Sequence, residues 1–254
     1  VEYVEQCEQL GTGHAVLQAK DLLAGEHGTI MVLCGDTPLL TAELLARFHE
    51  EHVNAGAKAT VLTAIMPNAK GYGRIIRRDS GEVLKIVEHK DATPEEREIH
   101  EVNAGIYCFD AEALFSALTK VTNDNAQGEY YLPDVLSILR DAGEKIWAVV
   151  ADNYESTLGI NSRSQLAVAE RILRKRKVEE LMADGVTIMD PHTTFIDAEV
   201  RVGMDTIIYP FTILEGVTVI GEDCIIGPHV RFQDMVIGDG VKAHYVYAHD
   251  AEVE

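Results

Sequence analysis

Short polar or glycine-rich strings interrupt the apolar runs of this chain, and their residue types set what chemistry it could do. Leu10-Gly11-Thr12-Gly13-His14-Ala15 stands before a helical stretch, where glycines let backbone N–H groups approach a nucleotide base or phosphate and the helix dipole is positive. An ordinary turn leading into a helix has the same composition. Cys34-Gly35-Asp36-Thr37-Pro38-Leu39 follows the apolar run 29–34, at the carboxyl edge where open α/β sheets bind ligands. Asp36 there either holds a magnesium ion or caps the next helix, although Thr41 stands nearer that helix and Pro38 lies between. Gly71-Tyr72-Gly73-Arg74-Ile75, Val87-Glu88-His89-Lys90 and Val102-Asn103-Ala104-Gly105-Ile106 each read alone as a turn at a strand end. Together they offer a backbone amide, a carboxylate and a carboxamide, the donors and acceptors that hydroxyls and an acetamido group require. Gly159-Ile160-Asn161 adds a second oxygen ligand for a metal.

Other chemistries find no support. The ten histidines include no H-E-x-x-H pair and no zinc spacing, and they read as surface or hydrogen-bonded polar groups. There is no G-x-S-x-G elbow and no Walker loop, which leaves hydrolase and P-loop kinase readings without residues.

The elements that must position these strings alternate along residues 1–161. The pattern predicts helices over 13–23, 41–55, 111–118 and 132–142, and strands over 29–34, 58–65, 101–109 and 146–150. Two more strands flank the turn Asp79-Ser80-Gly81 within 71–90. Such alternation argues for a mostly parallel α/β sheet with helices on its faces. Residues 162–185 read as a connecting helix, whose Arg174-Lys175-Arg176-Lys177 run is either a phosphate contact or an acid-paired, solvated face.

Over 186–254 the texture changes. Ile196, Val202, Ile208, Leu214, Ile220, Ile226 and Phe232 recur every six residues, and Val200, Thr206, Thr212, Thr218, Cys224, Val230 and Val236 form a second column of mostly small or β-branched residues. One inward aliphatic residue per short flat face describes a parallel β-helix of hexapeptides, with Gly203, Gly221 and Gly227 relieving its corners. The phase slips by one residue at Ile237-Gly238-Asp239.

Composition bounds the ligands and partners. The 254 residues are 46% hydrophobic and 25% charged, those of a folded globular protein. Formal net charge is −20, from 22 Lys and Arg against 42 Asp and Glu, which repels nucleic acid and anionic membrane faces. A phosphate ligand must be held by local dipoles or a divalent cation. No apolar run approaches the about 20 residues of a membrane span. Cys7, Cys34, Cys108 and Cys224 lie far apart and suit reduced thiols in the cytoplasm. The first segment reads as the middle of a domain and the repeats reach Glu254 without a closing cap, so an internal piece of a longer chain is expected.

The strings quoted above, together with Gln6-Cys7-Glu8-Gln9 upstream of the first and Gly128-Glu129-Tyr130-Tyr131-Leu132, occur in an order that resembles the bacterial bifunctional UDP-N-acetylglucosamine pyrophosphorylase/glucosamine-1-phosphate N-acetyltransferase family. The resemblance spans the chain. It implies a Rossmann-like nucleotidyltransferase sheet, N-terminally incomplete, then a connecting helix and a left-handed parallel β-helix. It implies that Gln6, Gly11 and Thr12 contact uracil, that Gly35 belongs to the nucleotide loop, and that Gly73, Glu88 and Asn103 contact N-acetylglucosamine. Asp36 and Asn161 would both follow strands of one sheet and meet at one Mg2+ ion as catalytic ligands. The family's opening glycine-rich phosphate loop and its acetyltransferase coils have no counterpart here.

The implied reaction joins UTP and N-acetylglucosamine 1-phosphate into UDP-N-acetylglucosamine and pyrophosphate, in a cytoplasmic homotrimer assembled through the β-helix. The nucleophile is already an anion, so catalysis is positioning and charge neutralisation. Two alternatives stand beside it: a pyrophosphorylase for another sugar nucleotide, and a non-catalytic binding and trimerisation piece.

Overall fold

A computed structural model describes residues 1–254 apart from 24, 26 and 126, and divides them into two compact units, Val1–Gly159 and Ile160–Glu254. In the first unit a one-and-a-half-turn helix α1 (Thr12–Leu17) precedes β1 (Thr29–Val32), α2 (Ala42–Ala55) and β2 (Ala59–Ile65). The hairpin β3 (Arg74–Arg77) and β4 (Val83–Val87) follows, then the single turn α3 (Pro94–Arg97) and the long β5 (Glu101–Asp110). Helices α4 (Ala111–Leu118) and α5 (Asp134–Asp141) lead to β6 (Ile146–Val150). The expected helix over 13–23 is α1 only to Leu17. Beyond it, bonds such as Ala19 N–H to Val16 O and Lys20 N–H to Leu17 O are turns that reach back three residues.

Local signals explain the helix ends. Thr41 caps α2 by accepting from Leu44 N–H at 3.3 Å, and Gly56 closes it in the left-handed region at φ 58°. Asp110 accepts from Ala113 N–H at 3.0 Å to start α4 directly from the end of β5.

The sheet runs β4-β3-β5-β2-β6, with β1 also on β5. It is mixed rather than mostly parallel: β5 is antiparallel to β1, β2 and β3, and β2–β6 is the parallel neighbour pair. The β3–β4 hairpin is antiparallel as its short turn requires, and β3 rather than β4 lies beside β5, again antiparallel. The β1–α2–β2 segment keeps its two strands parallel to each other with β5 laid between them.

Both faces of the sheet are covered, so its central strands are largely apolar. Val61, Tyr107 and Phe109 pack against Leu114, Val135, Leu136 and Leu139 of α4 and α5. Leu62, Ile106, Cys108 and Val149 face Leu44 and Phe48 of α2. Phe48 is fully buried, worth about 1.5–3 kcal/mol relative to exposure. Thr60 on that face meets buried His52, whose Nδ1 lies 2.8 Å from the Thr60 hydroxyl. This histidine is the satisfied core group its surroundings require.

The second unit opens with α6 (Arg163–Ala183), capped by Ser162 accepting from Gln165 N–H at 3.2 Å. Its basic run is acid-paired: Arg174 with Glu170 at 3.5 Å, Lys175 with Glu179 at 3.7 Å and Lys177 with Glu180 at 2.8 Å. Twelve short strands then stack as three parallel sheets. They are β7 (Thr187–Ile188), β10 (Ile207–Ile208), β13 (Ile225–Ile226) and β16 (Lys242–Ala243); β8 (Phe195–Ile196), β11 (Ile213–Glu215), β14 (Arg231–Gln233) and β17 (Tyr247–His249); and β9 (Arg201–Val202), β12 (Val219–Ile220), β15 (Val236–Ile237) and β18 (Glu252–Val253).

The six-residue column points inward as expected, with Ile208, Leu214 and Ile226 fully buried. At Gly203 an added Cβ would lie 2.6 Å from the backbone of Gly221 one coil on, so glycine is required by close approach. The phase slip comes earlier than the sequence suggests. Asp234 takes a left-handed φ of 52°, Met235 fills the corner place expected of Val236, and Ile237 pairs with Ile220. The turn between β14 and β15 is one residue short, which advances every later inward position.

Candidate functional site

β1 and β3 share one edge of β5: β1 pairs with residues 107–110 and β3 with Val102, leaving 103–106 between them. Into that gap fall three of the strings singled out in the sequence. Gly105 kinks β5 at φ 75°, and its N–H donates to Asn103 Oδ1 at 2.9 Å. The Asn103 Nδ2 lies 2.8 Å from the buried Tyr107 hydroxyl, and that hydroxyl lies 3.1 Å from Oδ1, so most of this carboxamide's capacity is spent on holding it still. On one side the Asn103 N–H donates to Gly73 O at 2.9 Å. A Cβ placed on Gly73 would sit 3.2 Å from Glu88 Oε1, which brings Gly73, Glu88 and Asn103 into one cluster.

The electrostatics of that cluster are those of an open acidic mouth. Glu88 is exposed on one side, yet the protein atoms behind it push its carboxyl above the ordinary carboxylate range, and the Asp91 charge adds to this. Burial holds the Tyr107 hydroxyl un-ionised, far above the usual phenol range.

On the other side of the gap the loop after β1 docks by its thiol. Cys34 Sγ donates to Gly105 O at 3.3 Å, and burial with the Asp36 charge raises the thiol's pKa. Thr37 closes the loop through N–H and Oγ1 bonds to Cys34 O at 3.4 and 2.7 Å. Neither bond uses the carboxylate of Asp36, which is exposed beside Gly35. Since Thr41 is the cap of α2, the helix-capping reading of Asp36 is set aside.

A second cluster gathers Gln6, Gly11 and Thr12. Tyr130 N–H donates to Leu10 O at 2.7 Å, Gly13 N–H to Tyr130 O at 2.8 Å and Leu132 N–H to Thr12 Oγ1 at 3.0 Å. These bonds press residues 10–13 against 130–132. Gly11 has φ 107°, and a Cβ there would lie 2.6 Å from Tyr130 O, so the turn admits glycine alone. The Gln6 carboxamide donates to Gly11 O at 3.1 Å. Behind burial and Glu129, the charges of Glu88 and Asp91 also help to raise the pKa of the Tyr131 hydroxyl.

Asn161 belongs to the second unit, where it is exposed and its N–H donates to Gln165 Oε1 at 2.8 Å. The expectation that it ends a strand of the Asp36 sheet is corrected: β6 stops at Val150, and the 3-10 turn Tyr154–Thr157 intervenes.

Two residues escaped the sequence reading. Arg74 is 2% exposed and has no acid partner among the described residues; its guanidinium donates to Tyr72 O and to Arg97 O at 3.4 Å and meets His89 Nδ1 at 3.5 Å. It ties together the loops on both sides of Glu88. His14 stands against the Gln6 carboxamide at 3.0 Å. Its place in the Gly11-Thr12-Gly13-His14 string was the available signal.

A glycine-turned α/β unit with a polar gap at its sheet edge, followed by hexapeptide coils, defines a nucleotide-handling transferase architecture. The chain belongs to the nucleotidyl transferase family, whose model matches residues 1–159, and the bacterial transferase hexapeptide (six repeats) model matches residues 199–233. It is similar to the "Bifunctional protein GlmU" of Geobacillus sp. (strain WCH70), 54% identical over 252 residues, covering 99% of this chain and 55% of that protein. The protein of the same name from Halalkalibacterium halodurans is 53% identical over 253 residues, 100% of this chain and 56% of its own. That of Shouchella clausii is 55% identical over 241 residues, 95% and 53%. The chain spans about half the length of the curated relatives it matches.

Proposed function

We propose that the α/β unit serves uridyl transfer from UTP to N-acetylglucosamine 1-phosphate, within a protein whose further coils acetylate glucosamine 1-phosphate. The observation that supports it most is the convergence of Gly73, Glu88 and Asn103 on one side of the Gly105 kink with the Gly35-Asp36 loop on the other. Glu88 would accept from sugar hydroxyls, and Asn103 has one amide hydrogen left for the sugar, its oxygen already accepting from Gly105 N–H and the Tyr107 hydroxyl. Gly11 and Thr12 carry N–H groups that the bonds to the 130–132 segment do not use, and these with Gln6 would face the uracil.

A magnesium ion fits the donors present. Among the described residues no three His, Cys, Asp or Glu side chains gather as an all-protein cage, whereas Mg2+ binds through one or two protein oxygens plus phosphates and water. Asp36 would hold it, and when bound it neutralises phosphate charge. Assembly into a trimer through the coils, and work in the cytoplasm, follow from the same family reading. Four free thiols suit that compartment. Among the described residues no helix is long and apolar enough to cross a membrane.

Calorimetric titration with UDP-N-acetylglucosamine and UDP-glucose in magnesium tests this reading. The acetylated sugar is expected to bind more tightly, and Asp36→Ala to abolish the magnesium dependence of binding. Equal affinity for the two sugars would favour another sugar nucleotide, and no binding of either would remove the reading.

A further inference from the structure

His14 stands on α1 between two glutamine carboxamides. Gln6 Nε2 lies 3.0 Å from its Nδ1, and Gln18 Nε2 lies 3.1 Å from its Nε2. A neutral imidazole accepts at one nitrogen and donates at the other, so it cannot take a hydrogen from both amides. One glutamine must give way.

Gln6 is the constrained partner. Its Nε2 also donates to Gly11 O at 3.1 Å, and Gly11 is wedged against Tyr130. Gln18 is held otherwise by the carbonyl of His14, one turn back on its own helix, at 3.0 Å. It caps the carboxyl end of α1, where a side-chain rotation relieves the clash. The conflict therefore resolves with His14 Nδ1 accepting from Gln6 and Nε2 carrying the proton. Both hydrogens of the Gln6 NH2 group are then engaged, one by Gly11 O and one by His14. Its Oε1 alone is left to meet a ligand.

We propose that His14 is a positioning residue that locks the Gln6 carboxamide with its oxygen outward, and thereby selects uracil, whose N3 bears a hydrogen, over cytosine, whose N3 bears a lone pair. This rests on the reading of Gln6 as the base contact. A carboxamide free to turn would offer either its oxygen or its NH2 group and lose that discrimination, because a site built to pair one pattern rejects the other by leaving polar groups unpaired.

Two measurements on the full 254-residue chain test it. Long-range 15N–1H correlation spectra of the nucleotide-free chain read the tautomer, with a bare Nδ1 and a protonated Nε2 expected for His14. UTP and CTP affinities are then compared for wild type, His14→Asn, His14→Gln and His14→Leu. Asn places its amide where Nδ1 sits and Gln where Nε2 sits. His14→Asn is expected to keep the wild-type preference within about 3-fold, while His14→Gln and His14→Leu lose about 10-fold or more of it. A protonated Nδ1, or a preference unchanged in His14→Gln and His14→Leu, overturns the inference alone; should His14→Leu fail to fold, the Asn and Gln pair decides. A wild-type chain that binds neither nucleotide, or both equally, overturns the base-contact reading and the inference with it.

Discussion

The backbone N–H of Asn103 donates to the carbonyl of Gly73 at 2.9 Å, so the strand that carries the carboxamide also fixes the height of the glycine facing Glu88. A methyl group on Gly73 would press on Glu88 Oε1 at 3.2 Å and Ile86 Cγ2 at 3.1 Å. Gly73→Ala is expected to displace the Glu88 carboxylate and weaken UDP-N-acetylglucosamine by about 10-fold or more, the loss of one hydrogen bond to a charged group. Calorimetry of the variant checks it, and unchanged affinity would show that the cluster leaves the sugar untouched.

Asn103 and Glu88 differ in what else they hold. Asn103→Ala leaves Gly105 N–H and the buried Tyr107 hydroxyl without their partner and is expected to cost about 1–3 kcal/mol of stability along with sugar affinity. Glu88→Ala, at an exposed carboxyl already raised by burial, is expected to change stability by no more than about 0.5 kcal/mol while losing sugar affinity. Urea unfolding beside ligand titration separates the two.

The raised Glu88 pKa sets a pH dependence. If Glu88 contacts the sugar, its ionised carboxylate would accept from sugar hydroxyls and the acid form less well, so affinity for UDP-N-acetylglucosamine should rise as pH climbs through the Glu88 pKa. Because burial and Asp91 raise that pKa, the rise falls at higher pH than an ordinary carboxylate would give. Glu88→Gln should flatten the profile. For folding the sign is opposite: a raised carboxyl pKa favours the native state at low pH, and that contribution is lost as pH rises through the native pKa.

Much of this was legible in the sequence because glycine and periodicity speak locally. The six-residue column from Ile196 to Phe232 showed the coils directly, since each inward residue repeats one geometry. The three strings meeting at the Gly105 kink were visible as strings, but not that they meet. That depends on β1 and β3 sharing an edge of β5, a pairing between residues far apart in sequence. The antiparallel placing of β5 was hidden for the same reason, as a buried strand reads apolar whichever way it runs. His14 and Arg74 escaped because, besides the local partners Gln18 and Tyr72, they meet Gln6 and Arg97, which the fold rather than any spacing rule brings to them.

The short turn in the coils gives a sharp comparison between neighbours. Met235 is 1% exposed and Val236 47%. Met235→Ala is expected to destabilise the second unit by about 2–5 kcal/mol, and Val236→Ala to stay within about 0.5 kcal/mol of wild type. Chemical unfolding of both variants reads the difference, and the reverse order would return the slip to where the sequence alone placed it.

The central claim is that the Gln6-Gly11-Thr12 and Gly73-Glu88-Asn103 clusters are two ends of one sugar-nucleotide site. Amide spectra of the 15N-labelled chain, titrated with UDP-N-acetylglucosamine in magnesium, test it most directly. The account predicts that the amides of Gly11, Thr12, Gly73 and Asn103 shift together along one saturation curve, and that Glu88→Ala moves that curve to weaker binding at both clusters. Shifts at one cluster without the other, or saturation that leaves all four amides in place, would contradict it.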